Sequence, residues 1–484
     1  MKALGFILIF STLILAPFSA RALPIDWNGS LSYESIRINN YRHTKGEAPT
    51  GVGSQAIAGD NDNAFIQNYV FRLAPSLIVN DHVSMKGEFS VGDARGNLMG
   101  QDTAVTRSDG SRGASNYFQN NPGGNSALNV NQLYMEIYSE TATYRVGKFS
   151  RHWGLGAVIN GGHNALDKFF SSYEGLEARV NIGNFYVTPY MVNISNGDRL
   201  TRTGEAREIG LELLYDNPDK DLMIGAHLSK RNTGGENTLY RNLQDPTDPM
   251  SSFHQGVSSV KHMNLFAQRY FGDLKVGLEV PIVSGDFGTI YDPDTMSSVD
   301  ATSLIFETSY EMNSNWTFDA HFGHIAGDDA STNTFTAQYL HPNYHIAEVM
   351  FRYNLHAAMN TQEHNIFESS LTNMQYLRLA SHYHSGLWTW HFAFITAKAN
   401  ETAQADNRAW QHQESYSFDS VENQSDALGW EVDLSFDYQW NPNLLMSGYF
   451  AFYNVGDYFA FTNGNGNMDL SNDLSVGIRL ALTF

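Results

Sequence analysis

Cysteine is absent from all 484 residues, which excludes disulfides, thiolate metal sites and cysteine nucleophiles. Charge is sparse, with Asp, Glu, Lys and Arg making up only 17% of the chain. What charge there is leans one way. Thirty basic residues face 51 acidic ones, and a formal net charge of −21 argues against nucleic acid as a partner. Long apolar runs are missing too: after residue 22 nothing approaches the roughly 18 continuous apolar residues of a transmembrane helix. Amphipathic helical periodicity is scarce, and no fixed-period repeat marks a propeller or β-helix.

Aromatics are plentiful at 13%, and 41 glycines accompany them, a mix that favours strands and turns. The first 22 residues have Lys2, an apolar run from Leu4 to Pro17, and the small-x-small pattern Ala20-Arg21-Ala22. They read as a secretory signal peptide, residues 1–22, cleaved after Ala22 to leave a mature chain of 23–484. Losing Lys2 and Arg21 leaves 28 basic against 51 acidic residues, or −23.

The recurring pattern in the mature chain is strict alternation over about ten residues. In "WEVDLSFDYQW" (430–440), Trp430, Val432, Leu434, Phe436, Tyr438 and Trp440 face one way, and Glu431, Asp433, Ser435, Asp437 and Gln439 the other. "LIFETSYEM", "WTFDAHF" and "GLEARVNI" repeat the pattern, as does the closing "SVGIRLALTF". Connections alternate between tight turns, such as 182–184 and 441–443, and long polar stretches at 39–63, 95–126, 154–172, 232–258, 327–369, 400–425 and 457–470. The expected fold is all-β: a transmembrane antiparallel β-barrel of about 18 strands, within a range of 16–20. Both termini fall on the short-turn side, so the count is even. The stretch 343–356 is assigned to the long loop 327–369, folded into the pore; the alternative is a 20-strand barrel. A closed sheet is the only sheet that satisfies its backbone in lipid.

The signal peptide, the alternating strands and a last strand ending on Phe484 resemble Gram-negative outer-membrane β-barrel proteins of the porin type. A weaker resemblance links length and strand count to alginate-export and substrate-specific porins. The resemblance implies a bacterial outer-membrane location, contact with lipids and lipopolysaccharide, and a role for Phe484 in the signal read by the barrel-assembly machinery. Deleting Phe484 is accordingly expected to impair assembly more than conductance. Monomer and trimer both stay open.

The function expected is a channel for passive diffusion of small hydrophilic solutes. The first strand begins close after Ala22, leaving no room for the N-terminal plug that energy-coupled transporters carry. A loop such as 327–369 or 95–126 is expected to narrow the lumen. Alternation assigns to the lumen Glu88, Glu136, Glu177, Glu208, Glu212, Glu279, Glu307, Glu311, Asp319, Glu431, Asp433 and Asp437, against Arg72, Lys86, Arg179, Lys275 and Arg479. Wall charge sets selectivity, so the pore is expected to be mildly cation-preferring or to take neutral solutes. In "RVGKFSRHWGLGAVINGG" (145–162), Arg145, Lys148 and Arg151 either face these carboxylates at a constriction or sit at the rim against lipopolysaccharide phosphate. The glycines there have no nucleotide-binding spacing.

Two other functions compete. A barrel-borne hydrolase would draw on Ser381, His382, His384 and His391, but no oxyanion-hole glycine motif accompanies them, so no enzyme is expected. His382 and His384 alone do not define a metal site. A non-conducting surface barrel for adhesion, reception or structure would use the acidic loops. "GDNDN" (59–63), "DPTDP" (245–249) and "YDPDT" (291–295) could hold Ca²⁺, yet none has EF-hand spacing and solvated turns are the expected reading, with no cofactor.

Overall fold

Alternation gives each strand two chemically different faces, and a sheet with one wholly apolar face must cover it with another layer or with lipid. The computed structural model shows the second solution. It describes residues 24–45, 52–57, 62–91, 128–169, 171–196, 205–234, 239–241, 252–254, 258–288, 290–291, 295–355, 366–464 and 466–484. The signal segment 1–22 and the loop 95–126 lie outside the described residues, as does most of each acidic Ca²⁺ candidate. Within those candidates, Asp62 is held by Arg42 at 2.6 Å.

The first nine strands are β1 (Ile25–Asn39), β2 (Asn63–Asn80), β3 (Val83–Val91), β4 (Leu128–Tyr138), β5 (Ala142–Ser150), β6 (Ser172–Ile182), β7 (Phe185–Asn196), β8 (Glu205–Asn217) and β9 (Leu222–Gly234). A hairpin of β10 (Leu239–Arg241) and β11 (Ser252–His254) interrupts the series. Next come β12 (Ser259–Phe271) and β13 (Leu274–Gly288). β14 (Ser297–Thr302) and β15 (Leu304–Asn313) form one stave broken at Ser303, followed by β16 (Trp316–Ile325) and the short β17 (Thr334–Phe335). β18 (Met374–Ser385) and β19 (Trp388–Ala399) follow, with a loop hairpin of β20 (Arg408–Gln411) and β21 (Tyr416–Asp419). The last staves are β22 (Ala427–Asn441), β23 (Leu444–Val455) and β24 (Asp473–Thr483). Apart from β17 and the two hairpins, these make a closed antiparallel barrel of 18 staves. The stretch 343–355 forms no strand, so the 20-strand alternative fails.

Closure joins β1 to β24 from Ser30↔Thr483 to Asn39↔Leu474. Phe484 completes it: its N–H donates to Gly29 O at 3.0 Å, and Gly29 N–H donates back at 2.9 Å. A Cβ at Gly29 would lie 2.5 Å from the Phe484 ring, so this position has room for hydrogen only.

The outer surface is apolar. Phe306, Tyr310, Phe318, Leu377, Phe392, Leu434, Val476 and Ile478 are all exposed, as the alternation requires. Near the short turns aromatic rings gather. Trp316 meets Tyr383 at 4.8 Å and Trp388 meets Tyr438 at 4.5 Å, with Trp440 beside Tyr438. Such a girdle belongs at a membrane–water boundary. The inner wall departs from the expected polarity. Ile36, Ile38, Ile305 and Ile395 point inward and are fully buried, packed with Ile346, Val349 and Met350 of the long loop.

Candidate functional site: a lumen filled by two loops

The described parts of two connections turn into the barrel instead of away from it: 151–169 and 171, between β5 and β6, and 326–355 and 366–373, between β16 and β18. Each must bring unpaired backbone N–H groups into a confined space, and each finds a carboxylate there. Leu155 N–H donates to Glu279 Oε2 at 2.7 Å, and Ala157 N–H reaches the same oxygen at 3.5 Å. Asn264 Nδ2 holds the other oxygen at 2.7 Å. Gly154 makes the turn at φ +61°, where a Cβ would sit 2.7 Å from Glu279. In the second loop the N–H groups of Glu348, Val349 and Met350 converge on Glu431 at 3.0, 2.8 and 2.7 Å, and that of Glu348 also reaches Asp433 at 3.2 Å. Glu279 and Glu431 have no solvent exposure. Burying a carboxylate is costly unless hydrogen bonds replace its water, and here loop backbone replaces it.

The two loops also hold each other. His341 N–H donates to Ala157 O at 2.7 Å, and Phe169 N–H donates to Asn343 Oδ1 at 3.2 Å. Arg72 clasps the first loop through Gly162 O at 2.9 Å, Asn164 O at 3.2 Å and Asp167 O. Inward tyrosines brace the second. Tyr376 lies across its register partner Gly323, and Tyr449 across Gly477. Their hydroxyls meet Tyr344 at 3.2 Å and Tyr353 at 3.3 Å, and Tyr344 also donates to Glu307 at 2.6 Å.

A line of alternating charge crosses the lumen where wall and loops meet. Lys168 pairs with Glu34, and Arg479 Nε donates to Glu34 at 2.8 Å across the closing seam. Arg479 also pairs through both terminal nitrogens with Glu348, and Arg352 lies 4.0 Å from Glu348. Burial alone would push the Glu348 carboxyl up, but Arg479 and Arg352 outweigh it and hold it below the usual carboxylate range. Burial pushes the Lys168 ammonium down, against the pull of Glu34.

The 145–151 cluster belongs to a second network. Arg145 bridges Glu136 at 2.9 Å and Glu177 at 3.1 Å; Arg151 pairs with Glu212 at 2.6 Å and stacks 3.6 Å from the Tyr190 ring centroid. Lys86 pairs with Glu136. Arg145 and Arg151 thus both face carboxylates of nearby staves. Lys148, only 3.8 Å from Glu174, is half-exposed. Glu208 binds Arg231 and the Tyr190 hydroxyl, and Glu88 accepts from Asn131 and Gln132. Arg179, Lys275 and Glu311 lie within a few residues of the short turns, away from the loops. Arg179 stacks 4.3 Å from the Tyr186 ring centroid.

Two chambers flank the second loop. One, of about 360 Å³, opens toward the long-loop end among His43, Tyr339, Phe351 and Tyr453. The other, of about 380 Å³, lies toward the short turns among Lys168, Phe169, Arg352 and Ala481. Tyr353 lines both and stands between them.

Glu34, Glu348, Lys168 and Arg352 were not legible as site residues. Glu34 sits in "LSYESIRI", where inward positions are Ser32, Glu34, Ile36 and Ile38, a mixture with no clear polar face. The hydrolase candidates are not assembled: Ser381 alternates with His382 and so faces the opposite side of the sheet, and His384 bonds Thr389 at 3.1 Å.

No family model and no curated protein matches the chain. Solved structures do. Pseudomonas aeruginosa OccK2 (OpdF) is similar at 10% identity with a TM-score of 0.48, over 95% of this chain and 98% of that one. P. aeruginosa OccK5 (OpdH) is similar at 12% identity and 0.47, over 95% and 98%. OmpT, an outer membrane protein of Vibrio cholerae, is similar at 9% identity and 0.38, over 96% and 99%. At such identities residue roles do not carry over, and what this barrel does must be read from its own lumen.

Proposed function

We propose that the chain is an outer-membrane channel through which small hydrophilic solutes diffuse passively, narrowed by its two inserted loops and mildly cation-preferring or selective for neutral solutes. The observation that carries this is the clasp of each loop on a wall carboxylate, which leaves two chambers of mixed polar and apolar lining on either side of Tyr353. Chambers of this size suit solutes of small-metabolite dimensions. The charge argument follows from pairing. Arg145, Arg151, Arg231 and Arg479 are taken up in ion pairs with carboxylates, so they offer little free positive charge to an anion in the lumen. Reversal potentials across a KCl gradient in planar bilayers should show weak cation preference, and liposome swelling should admit small neutral solutes. Clear anion preference would sink the selectivity.

One observation favours a second reading, a non-conducting surface barrel: Ile346, Val349 and Met350 pack against the inner wall as a core does. A protein that passes no current even with residues 343–355 deleted would establish that reading instead.

A further inference from the structure

Below the loops, near the short-turn end, two histidines on neighbouring staves face each other. His382 of β18 and His391 of β19 are register partners, three residues from the turn between Ser385 and Trp388. Their Nδ1 atoms are 2.6 Å apart. Each outer nitrogen is occupied: His382 Nε2–H donates to Asp319 at 2.8 Å, and His391 Nε2–H donates to Asp437 at 3.2 Å. Ser447 Oγ–H donates to the other Asp437 oxygen at 2.5 Å.

The carboxylates fix the tautomers. With its proton on Nε2, a neutral ring presents a bare Nδ1 lone pair inward. Two bare lone pairs at 2.6 Å repel, and two N–H groups there collide. The pair is therefore stable only when something between the rings accepts both lone pairs. One shared proton does so. A late first-row divalent cation does so too, and imidazoles whose second nitrogen donates to a carboxylate are the usual way proteins orient histidine on such ions.

We propose that His382 and His391 form a site inside the barrel for a borderline divalent cation such as Zn²⁺ or Cu²⁺, bound through both Nδ1 atoms, with water completing the shell. The side chains are 15% and 25% exposed, so an ion reaches them from the lumen. Two metal–nitrogen bonds of about 2.0–2.1 Å at a tetrahedral angle set the nitrogens about 3.3 Å apart, so the rings, now nearly head-on, part by less than 1 Å and each turns by roughly 35° to aim its lone pair at the ion. The ion replaces the shared proton, which leaves to solvent, so apparent affinity rises with pH. Hard cations such as Mg²⁺ prefer oxygen ligands and are not expected to compete. Among the described residues no set of three His, Cys, Asp or Glu could hold a metal ion, so the proposed site rests on two imidazoles and water has to supply the remaining ligands.

Calorimetric titration of the detergent-folded full barrel with ZnCl₂ tests the site without requiring conduction. One saturable Zn²⁺ per barrel is expected, with MgCl₂ giving none. His382→Gln and His391→Gln should each abolish binding while keeping the compact, unboiled gel mobility. Asp319→Asn should weaken it by about 10–100-fold, and His384→Gln should leave it unchanged. No saturable heat with the unaltered protein, or binding retained in both histidine variants, overturns the proposal.

Discussion

Alanine at Glu431 should loosen the second inserted loop at residues 348–350 and raise single-channel conductance by up to about threefold, because the lumen of an 18-stave barrel is wide where a filling loop retreats from it. Three loop N–H groups converge on this one side chain. Leaving buried donors unpaired costs about 1–3 kcal/mol each, enough to shift the docked population strongly. Glu431→Gln keeps one acceptor oxygen and should fall between. Glu279→Ala should have a smaller effect, since Arg72 still holds the first loop by three carbonyls. Unchanged conductance in Glu431→Ala, with normal folding, would show that the carboxylate is not what holds the loop.

Arg479→Ala should be the most destabilising single change in the wall. Its guanidinium ties the last strand to the first through Glu34 and ties both to the inserted loop through Glu348. Removing one partner from a buried ion network costs about 3–5 kcal/mol, because the carboxylates left behind stay buried. The temperature at which the compact form gives way to the unfolded form on unboiled gels should drop clearly. Arg479→Lys, which keeps the charge but not the fork, should recover part of the loss. The pairing with Glu348 persists at neutral pH. That carboxyl is held below its ordinary range, so its stabilisation is lost only as pH falls through the lowered value. A variant as heat-resistant as the unaltered barrel would contradict the network's role.

The staves were legible because period-2 alternation is local: residues 430–440 declare both faces without reference to anything else. The position of 343–355 within a loop was legible too, since parity left no partner strand for it. That 151–169 also enters the lumen was not legible. Its anchor, Glu279, is 124 residues from Leu155 in sequence, and nothing in the loop itself names that partner. The inward isoleucines were misleading for the same reason. Ile36 and Ile38 break the polar-inside rule because the loop brings its own apolar surface to meet them. Lumen charge could be assigned to a face but not to a partner, which is why the acid excess was visible while its absorption by backbone N–H groups was not.

Tyr376 and Tyr449 each lie flat across a glycine of the next strand and touch the loop with their hydroxyls. Those rings cannot swing without lifting off the sheet, so the narrow part of the lumen shares the stiffness of the wall. Its aperture is therefore set by covalent lengths and strand register instead of by thermal drift of a free flap. For a channel of the kind proposed, solutes would meet a sieve of fixed mesh, with discrimination by size built in before any charge is felt.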